Sequence, residues 1–563
     1  MCYQLVTTDG EVSPVYTTTI DRWLYDIYVS KEEAYTDSVV SDNPLFAIRP
    51  DLKLHYLTSD VSVRGHLTVD EGTTLSLGKY VQTANWGTQH NNNMYAKTGA
   101  DYYRPTTLLN MDGFVRADSV MVKQSLYRDR WHFLSLPFNA NVADVVVPDG
   151  VYYALRSYDG EARALGEMTD TWTNLRHGDT MEAGRGYIVQ LTRESSDKTA
   201  ELTFKALNDP QKNNIFTTAD VSTPLEEHQA EFAHNRSWNL VGNPYPSFYD
   251  SRYMDQDGTI IVWNGNGYTA YSLSDDSYIL MPFEAFFIQK PLDGEALTFG
   301  KAGRQHTHDV LTMAASHRKA KPQQNRRILN FTLSAVADVA ADLQSADRSR
   351  VVINEQASLG YEQDKDAPKF MEPRPQTAQL WSIEGGVQYA INERPVGDGI
   401  LTFSVYAPTA GEYHFGLVDN ASQRCSSDIV GEASKLCDSE GMPGSVSYYE
   451  AATVTDTETG TIWPLADGDY MFTATEGMHH ARLVVSLNGE TTAIAQVSAY
   501  DDGEIKVIDG QLAFSFMREK HIKVFSLDGR TVFNDTVSHA NLKLSYGVYL
   551  VDIDGKPTNI MVK

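Results

Sequence analysis

Three aspartates are the side chains of this chain best spaced to hold an ion. Asp255-Gln256-Asp257-Gly258 alternates side-chain oxygens and ends in a glycine, and Asp250 lies just upstream. Calcium loops use that arrangement, because a hard cation needs several oxygens on a tightly turned backbone. The bidentate Glu of the helical calcium loop is missing, so calcium on Asp250, Asp255 and Asp257 competes with a plain Asp-Gly turn. His306 and His308 stand two apart without a third ligand in reach, which does not complete a metal set. A second chemistry is stacking on sugar faces. Trp263, Tyr268 and Tyr271 fall on one expected hairpin, and exposed coplanar aromatics there would bind a glycan. Burial of Trp263 and Tyr271 would remove that version of the idea. No catalytic residue is nominated: the sequence holds no Gly-x-Ser-x-Gly elbow, His-Glu-x-x-His, phosphate-binding loop or dinucleotide fingerprint. The expectation is a chain that is not an enzyme, with a carbohydrate-active enzyme as the weakest alternative, since that needs two carboxylates about 5 to 10 Å apart in a cleft.

Composition narrows the partners. The formal charge of the 563 residues is −27, and such an excess of carboxylate repels phosphate backbones, so nucleic acid is not an expected partner. Aromatics make up 11% and Tyr occurs 31 times, which suits half-buried pleated surfaces. No apolar run is long enough for a transmembrane helix, and Met1 to Val6 shows no signal-peptide pattern. Cys2, Cys425 and Cys437 are too few for a disulfide scaffold, although the last two could bridge one loop.

The length exceeds what one core can fill, about 250 to 300 residues, so several modules must carry these side chains. The texture predicts an all-β, elongated multi-domain chain. Residues 1–125 hold very short strands with glycine-containing corners, such as Val61 to Val69 and Thr73 to Leu77, and read as the end of a parallel β-solenoid in preference to a sandwich with long loops. Residues 126–299 form a duplicated β-module, with copies near 126–205 and 232–298. Trp131-His132-Phe133-Leu134 aligns with Trp238-Asn239-Leu240-Val241, and Gly186-Tyr187-Ile188-Val189-Gln190 with Ala285-Phe286-Phe287-Ile288-Gln289. Between these anchors each copy is expected to place a hairpin, Val151–Tyr158 with Ala162–Leu165 and Ile260–Trp263 with Tyr268–Leu273. Residues 300–327 carry seven Lys and Arg against the single carboxylate Asp309 and read as a basic linker. Residues 328–488 supply eight or nine strands of a β-sandwich. Residues 490–563 contain a hairpin around Asp528-Gly529, a Gly547–Ile553 strand, an Asp554-Gly555 turn and a closing strand.

The final segment resembles the C-terminal sorting domain of type IX secretion substrates, on Val524-Phe525-Ser526-Leu527-Asp528-Gly529-Arg530, Gly547-Val548-Tyr549-Leu550-Val551 and Lys563. It departs from that family at the front, where Ala499-Tyr500-Asp501-Asp502-Gly503-Glu504 replaces a Pro-Asn-Pro opening. The resemblance implies an Ig-like terminal sandwich, the type IX secretion machinery as partner of residues 490–563, and a secreted or outer-membrane location in a Gram-negative bacterium. Its motif residues are Leu527, Asp528, Gly529, Arg530, Gly547, Tyr549 and Lys563. The body resembles segments of large surface proteins of the same bacteria, which carry no assigned chemistry but imply a longer parent protein. The function expected is a non-enzymatic surface protein serving adhesion or display, with a glycan-binding module that uses the hairpin aromatics as the alternative, and a glycan or host surface as ligand.

Overall fold

The computed structural model describes short strand segments among residues 1–117, then 119–166, 170–193, 199–207, 216–263, 265, 267–276, 278–305, 326–336, 345–372, 375–419, 452–488, 498–500, 503–508, 511–526, 530–544 and 547–562. The chain is all-β, and it separates into two compact units: residues 1–265 with 271–319, and residues 320–563 with 266–270.

The first unit opens on the expected solenoid. Three short strands, Trp23–Leu24, Ile27–Val29 and Leu54–Leu57, are followed by Val61–Val63, Leu67–Val69 and Thr74–Leu77, and then by Leu108–Asn110, Val115–Arg116 and Ser119–Tyr127. Each strand of one rung lies parallel to, and in register with, its counterpart in the next, as in Leu54↔Thr74↔Ser119. Alternation puts Leu75, Leu77, Val120 and Val122 inside, all fully buried. The stack ends when Met121–Tyr127 pairs antiparallel with Thr199–Lys205, so the last rung's edge is covered by the module that follows.

That module is a duplication in structure as well as sequence. In the first copy the sheet order is Trp131–Ser135, Gly186–Arg193, Val151–Tyr158, Trp172–Asn174; in the second it is Trp238–Gly242, Ala285–Gln289, Thr259–Trp263, Tyr268–Ser272. The register repeats too, with Trp131 opposite Gln190 and Trp238 opposite Gln289. The expected first hairpin is corrected, because Gly160–Ala164 is a helix and the partner of Val151–Tyr158 is Trp172–Asn174. The Asp159 carboxylate caps the helix by accepting the Ala162 N–H at 3.0 Å, and Glu-Ala-Arg-Ala favours helix over strand. The basic linker also begins later than residue 300. Arg304–Gln305 pairs with Phe248–Tyr249, and the Arg304 guanidinium lies 5.3 Å from the centre of the Tyr245 ring; His306 and His308 lie outside the described residues.

Residues 327 to 486 build one large, nearly closed sheet in the second unit. Its order runs Ile462–Pro464, Thr453–Asp456, Gly477–Ser486, Ile400–Ala407, Gln379–Glu384, Val387–Arg394, Ala346–Ile353, Arg327–Ala335, Gly411–Asp419, Tyr470–Ala474. The two end strands are neighbours in sequence, joined through the one-turn helix Leu465–Asp467, which draws the sheet around a single core of Phe331, Phe403, Phe415 and Leu483. In the tail, Gln511–Ser526 pairs with Gly503–Ile508 through its first half and with Gly547–Ile553 through its second, and Thr531–Lys543 runs along its other side. Ile505, Phe514, Ile522, Val524, Tyr549 and Ile560 share one core.

Candidate functional site

A concave feature lined by several polar groups lies at the seam between the two module copies. The copies meet reciprocally: the Ser135 N–H donates to the Phe283 carbonyl and the Gly242 N–H to the Gly184 carbonyl, both at 2.9 Å. Ser135 aligns with Gly242 and Gly184 with Phe283, so the contact has the self-complementary form of a two-fold dimer interface. Gly184 (φ 75°) and Phe283 (φ 65°) both take the left-handed conformation that turns their carbonyls toward the other copy. Phe283 does so without the freedom of glycine, its ring fully buried in the solenoid-side core.

Beside this seam opens a cleft of about 180 Å³ whose walls include Tyr158, Gly160 and Tyr187 from the first copy and Trp238, Asn239 and Leu240 from the second. That is below the roughly 300–1,000 Å³ of drug-sized pockets, so it has room for a small molecule only. Its rim is ionic. The Arg185 guanidinium donates to Glu226 at 2.6 Å and lies 3.8 Å from Glu182, while His228 Nε2 is 3.6 Å from the other Glu226 oxygen. Two carboxylates, a guanidinium and an imidazole can exchange hydrogen bonds with a polar ligand. Trp238 cannot stack on one, being fully buried with its Nε1–H donated to the His234 carbonyl.

The second copy also buries a carboxylic acid. Glu284 is inaccessible to solvent, accepting the Tyr278 hydroxyl at 2.6 Å and the Met281 N–H at 2.8 Å. Burial pushes its carboxyl up to about 7, although both hydrogen bonds favour the ionised form. The folded chain therefore holds a proton that the unfolded chain releases above about 4.5, and this contribution to stability is lost as pH rises from there toward 7. Glu284→Gln keeps an acceptor for Met281 and places an N–H beside Tyr278. Unfolding midpoints in denaturant at pH 5 and pH 8 should differ less in this variant than in the parent; an unchanged difference would remove Glu284 from the pH response. Asp366, pushed by burial up to about 8, supplies a residual slope of the same sign.

The nominated residues are scattered. Trp263 is buried, stacked on Phe133 at 6.3 Å, and donates its Nε1–H to the Trp131 carbonyl at 2.7 Å. Tyr271 is half-buried against Tyr278 at 4.4 Å, and Tyr268 stands edge-on to Phe370 at 5.7 Å. The burial of Trp263 corrects the stacking platform drawn from the sequence: an aromatic that closes a core has no free face. Asp250 is buried, and its carboxylate is taken by Arg252. Asp255 accepts the Thr298 N–H at 2.8 Å, and Asp257 is exposed beside the turn. Among the described residues no group of three or more His, Cys, Asp or Glu is placed to hold a metal; Asp250 is committed to Arg252 and Asp255 to a backbone N–H. No family model, curated protein or solved structure matches the chain. In the tail, Gly547 and Tyr549 lie on one strand and Arg530 is exposed, while Leu527, Asp528, Gly529 and Lys563 lie outside the described residues. Sequence reasoning missed Arg185, Glu226 and His228, because strand alternation gives no sign that two copies pack seam to seam. No described helix is long and apolar enough to cross a membrane.

Proposed function

We propose that this is a secreted or cell-surface protein whose β-modules serve adhesion or display, and whose residues 490–563 address it to the type IX secretion machinery. The observation that carries the reading is how the chain spends its reactive side chains. The carboxylates of Asp250, Glu284, Asp366 and Asp456 and the rings of Trp238, Trp263 and Trp381 are all buried in the packing of sheets. Seven side chains of reactive type are thus committed to packing, as suits a scaffold for display. In the tail, His521 to Val524 pairs with Phe533 to Thr536, and Gly547–Ile553 pairs with Lys556–Val562 across the Asp554-Gly555 turn, two antiparallel pairings at the places where the sequence predicts hairpins. Ligand candidates are a glycan or a host surface.

The test places the full chain behind an export leader in a bacterium that carries a type IX system, with and without residues 490–563. Protease added to intact cells should degrade the full chain and spare the truncated one. Equal protection of the two, or equal degradation, would overturn the reading.

A further inference from the structure

Lys369 is the one lysine among the described residues whose side chain is enclosed, at 1% exposure, and the Asp347 carboxylate that pairs with it is 8% exposed. Asp347 sits on the Ala346–Ile353 strand, and Lys369 follows the short Ala367–Pro368 strand, with its N–H held by the Gln388 carbonyl at 2.8 Å. The backbone therefore fixes both ends of the pair. An ammonium has three N–H donors, yet among the described residues Nζ has a single partner, Asp347 Oδ2. The same oxygen accepts the Leu380 N–H at 2.7 Å. An enclosed ammonium paired with one enclosed carboxylate is a costly way to hold a sheet together, since both charges are desolvated and their attraction offsets that only in part. A neutral group would fit the same space better.

We propose that Lys369 and Asp347 join in an intramolecular amide bond that staples the large sheet. The ammonium first gives one proton to the Asp347 carboxylate, which leaves a neutral amine facing a carboxylic acid whose hydroxyl is taken at Oδ1. The Nζ lone pair then attacks Cγ. The Leu380 N–H, already on Oδ2, stabilises the charge that develops on that oxygen, as the donors of an oxyanion hole do. A second Nζ proton passes to the Oδ1 hydroxyl, the Cγ–Oδ1 bond breaks, and one water leaves. The product keeps one N–H on Nζ and a carbonyl at Oδ2, still accepting from Leu380, and both charges are gone. Nothing is oxidised or reduced. Enclosure supplies the drive in two ways: well-oriented intramolecular partners reach effective concentrations of about 10⁵–10⁸ M, and a dry site discourages the water that would reverse the step. The staple suits a chain displayed outside the cell, although its formation does not depend on export.

The intact mass of the purified full-length chain decides the matter. It should lie one water below the mass of the sequence, and a tryptic digest should yield a branched peptide that joins the segments containing Asp347 and Lys369. The branch separates this outcome from a water lost at an Asp-Gly pair, which leaves the peptides linear. Lys369→Met and Asp347→Ala should each return to the full mass of their sequences. The parent chain found at its full sequence mass, with Asp347 and Lys369 in separate unmodified peptides, would overturn the proposal. That measurement needs no variant to fold.

Discussion

Gly242→Ala should unfold the first unit at a markedly lower denaturant concentration than the parent. A Cβ at residue 242 would lie 1.9 Å from the Ser135 Cβ and 2.0 Å from its Oγ, with the Glu284 carbonyl at 3.1 Å. Adding an atom to a packed core usually costs about 1–3 kcal/mol. Here the cost should reach or exceed the top of that range, because a Cβ has no rotamer by which to retreat and both strands are held by their ladders. The near-symmetry of the seam provides the control. Ser135 and Gly242 occupy equivalent places in the two copies, and the seam has room for one Cβ between them. Gly242→Ser alone should be as damaging as Gly242→Ala, whereas the exchange Ser135→Gly with Gly242→Ser moves the single side chain to the other copy and should recover most of the loss. Gly178→Ala, where an added Cβ meets nothing within 4 Å, should stay within about 0.5 kcal/mol of the parent. Chemical denaturation of these variants, together with Ser135→Gly alone, measures the coupling. Additive losses in the exchange variant would mean that the copies do not meet as described.

The same seam shows where sequence reasoning reaches and where it stops. The duplication was legible because Trp131 and Trp238 each begin a strand, with Gly186–Gln190 and Ala285–Gln289 as their partners, and strands keep their apolar pattern when copied. The solenoid was legible from strands too short to form a free-standing sheet, such as Val61–Val63 and Leu67–Val69, which need a neighbouring rung to bury a face. Period two says which residues point the same way, but not what waits there. Trp263 alternates correctly for an exposed stacking position and for a core position alike, and only the opposing Phe133 decides between them. Asp250 and Asp255 have the spacing of ligands, but Arg252 and the Thr298 N–H reach them first. Ala162–Leu165 departs from the expected strand for a local reason: an Asp-Gly pair signals a turn whether it leads into a strand or caps a helix, and here the Asp159 carboxylate caps. Lys369 and Asp347 stand 22 residues apart, a separation at which no spacing rule links an amine to a carboxylate.

The second unit has its own point of high leverage at Arg482, where the two ends of the large sheet come together. Arg482 is 1% exposed and Asp456 fully enclosed. The guanidinium donates to Asp456 Oδ2 at 3.0 Å and to the Thr473 carbonyl at 2.9 Å, pairs with Glu458 at 2.9 Å, and lies 4.4 Å from the centre of the Phe472 ring. Tyr470 adds its hydroxyl to Asp456 Oδ2 at 3.0 Å. Apart from Glu458 in the turn that follows Thr453–Asp456, these residues come from Thr453–Asp456, Tyr470–Ala474 and Gly477–Ser486, so one side chain ties three strands. Removing one partner of a buried ion pair costs about 3–5 kcal/mol, because the remaining charge stays enclosed without compensation. Arg482→Met should fall at the upper end of that range, since it strands the Asp456 carboxylate with the Tyr470 hydroxyl and one backbone N–H. Asp456→Asn should cost less, because Arg482 retains Glu458 and the Thr473 carbonyl. Asp456→Leu combined with Arg482→Met should be milder than the sum of its parts, as charges removed together leave nothing unpaired between them. Hydrogen exchange in the Met variant should rise first in residues 453–486 and leave the first unit's Trp131–Ser135 and Trp238–Gly242 strands protected. Uniform acceleration across the chain, or a loss under about 1 kcal/mol, would mean that the apolar core formed by Phe331, Phe403 and Phe415 closes the sheet without Arg482.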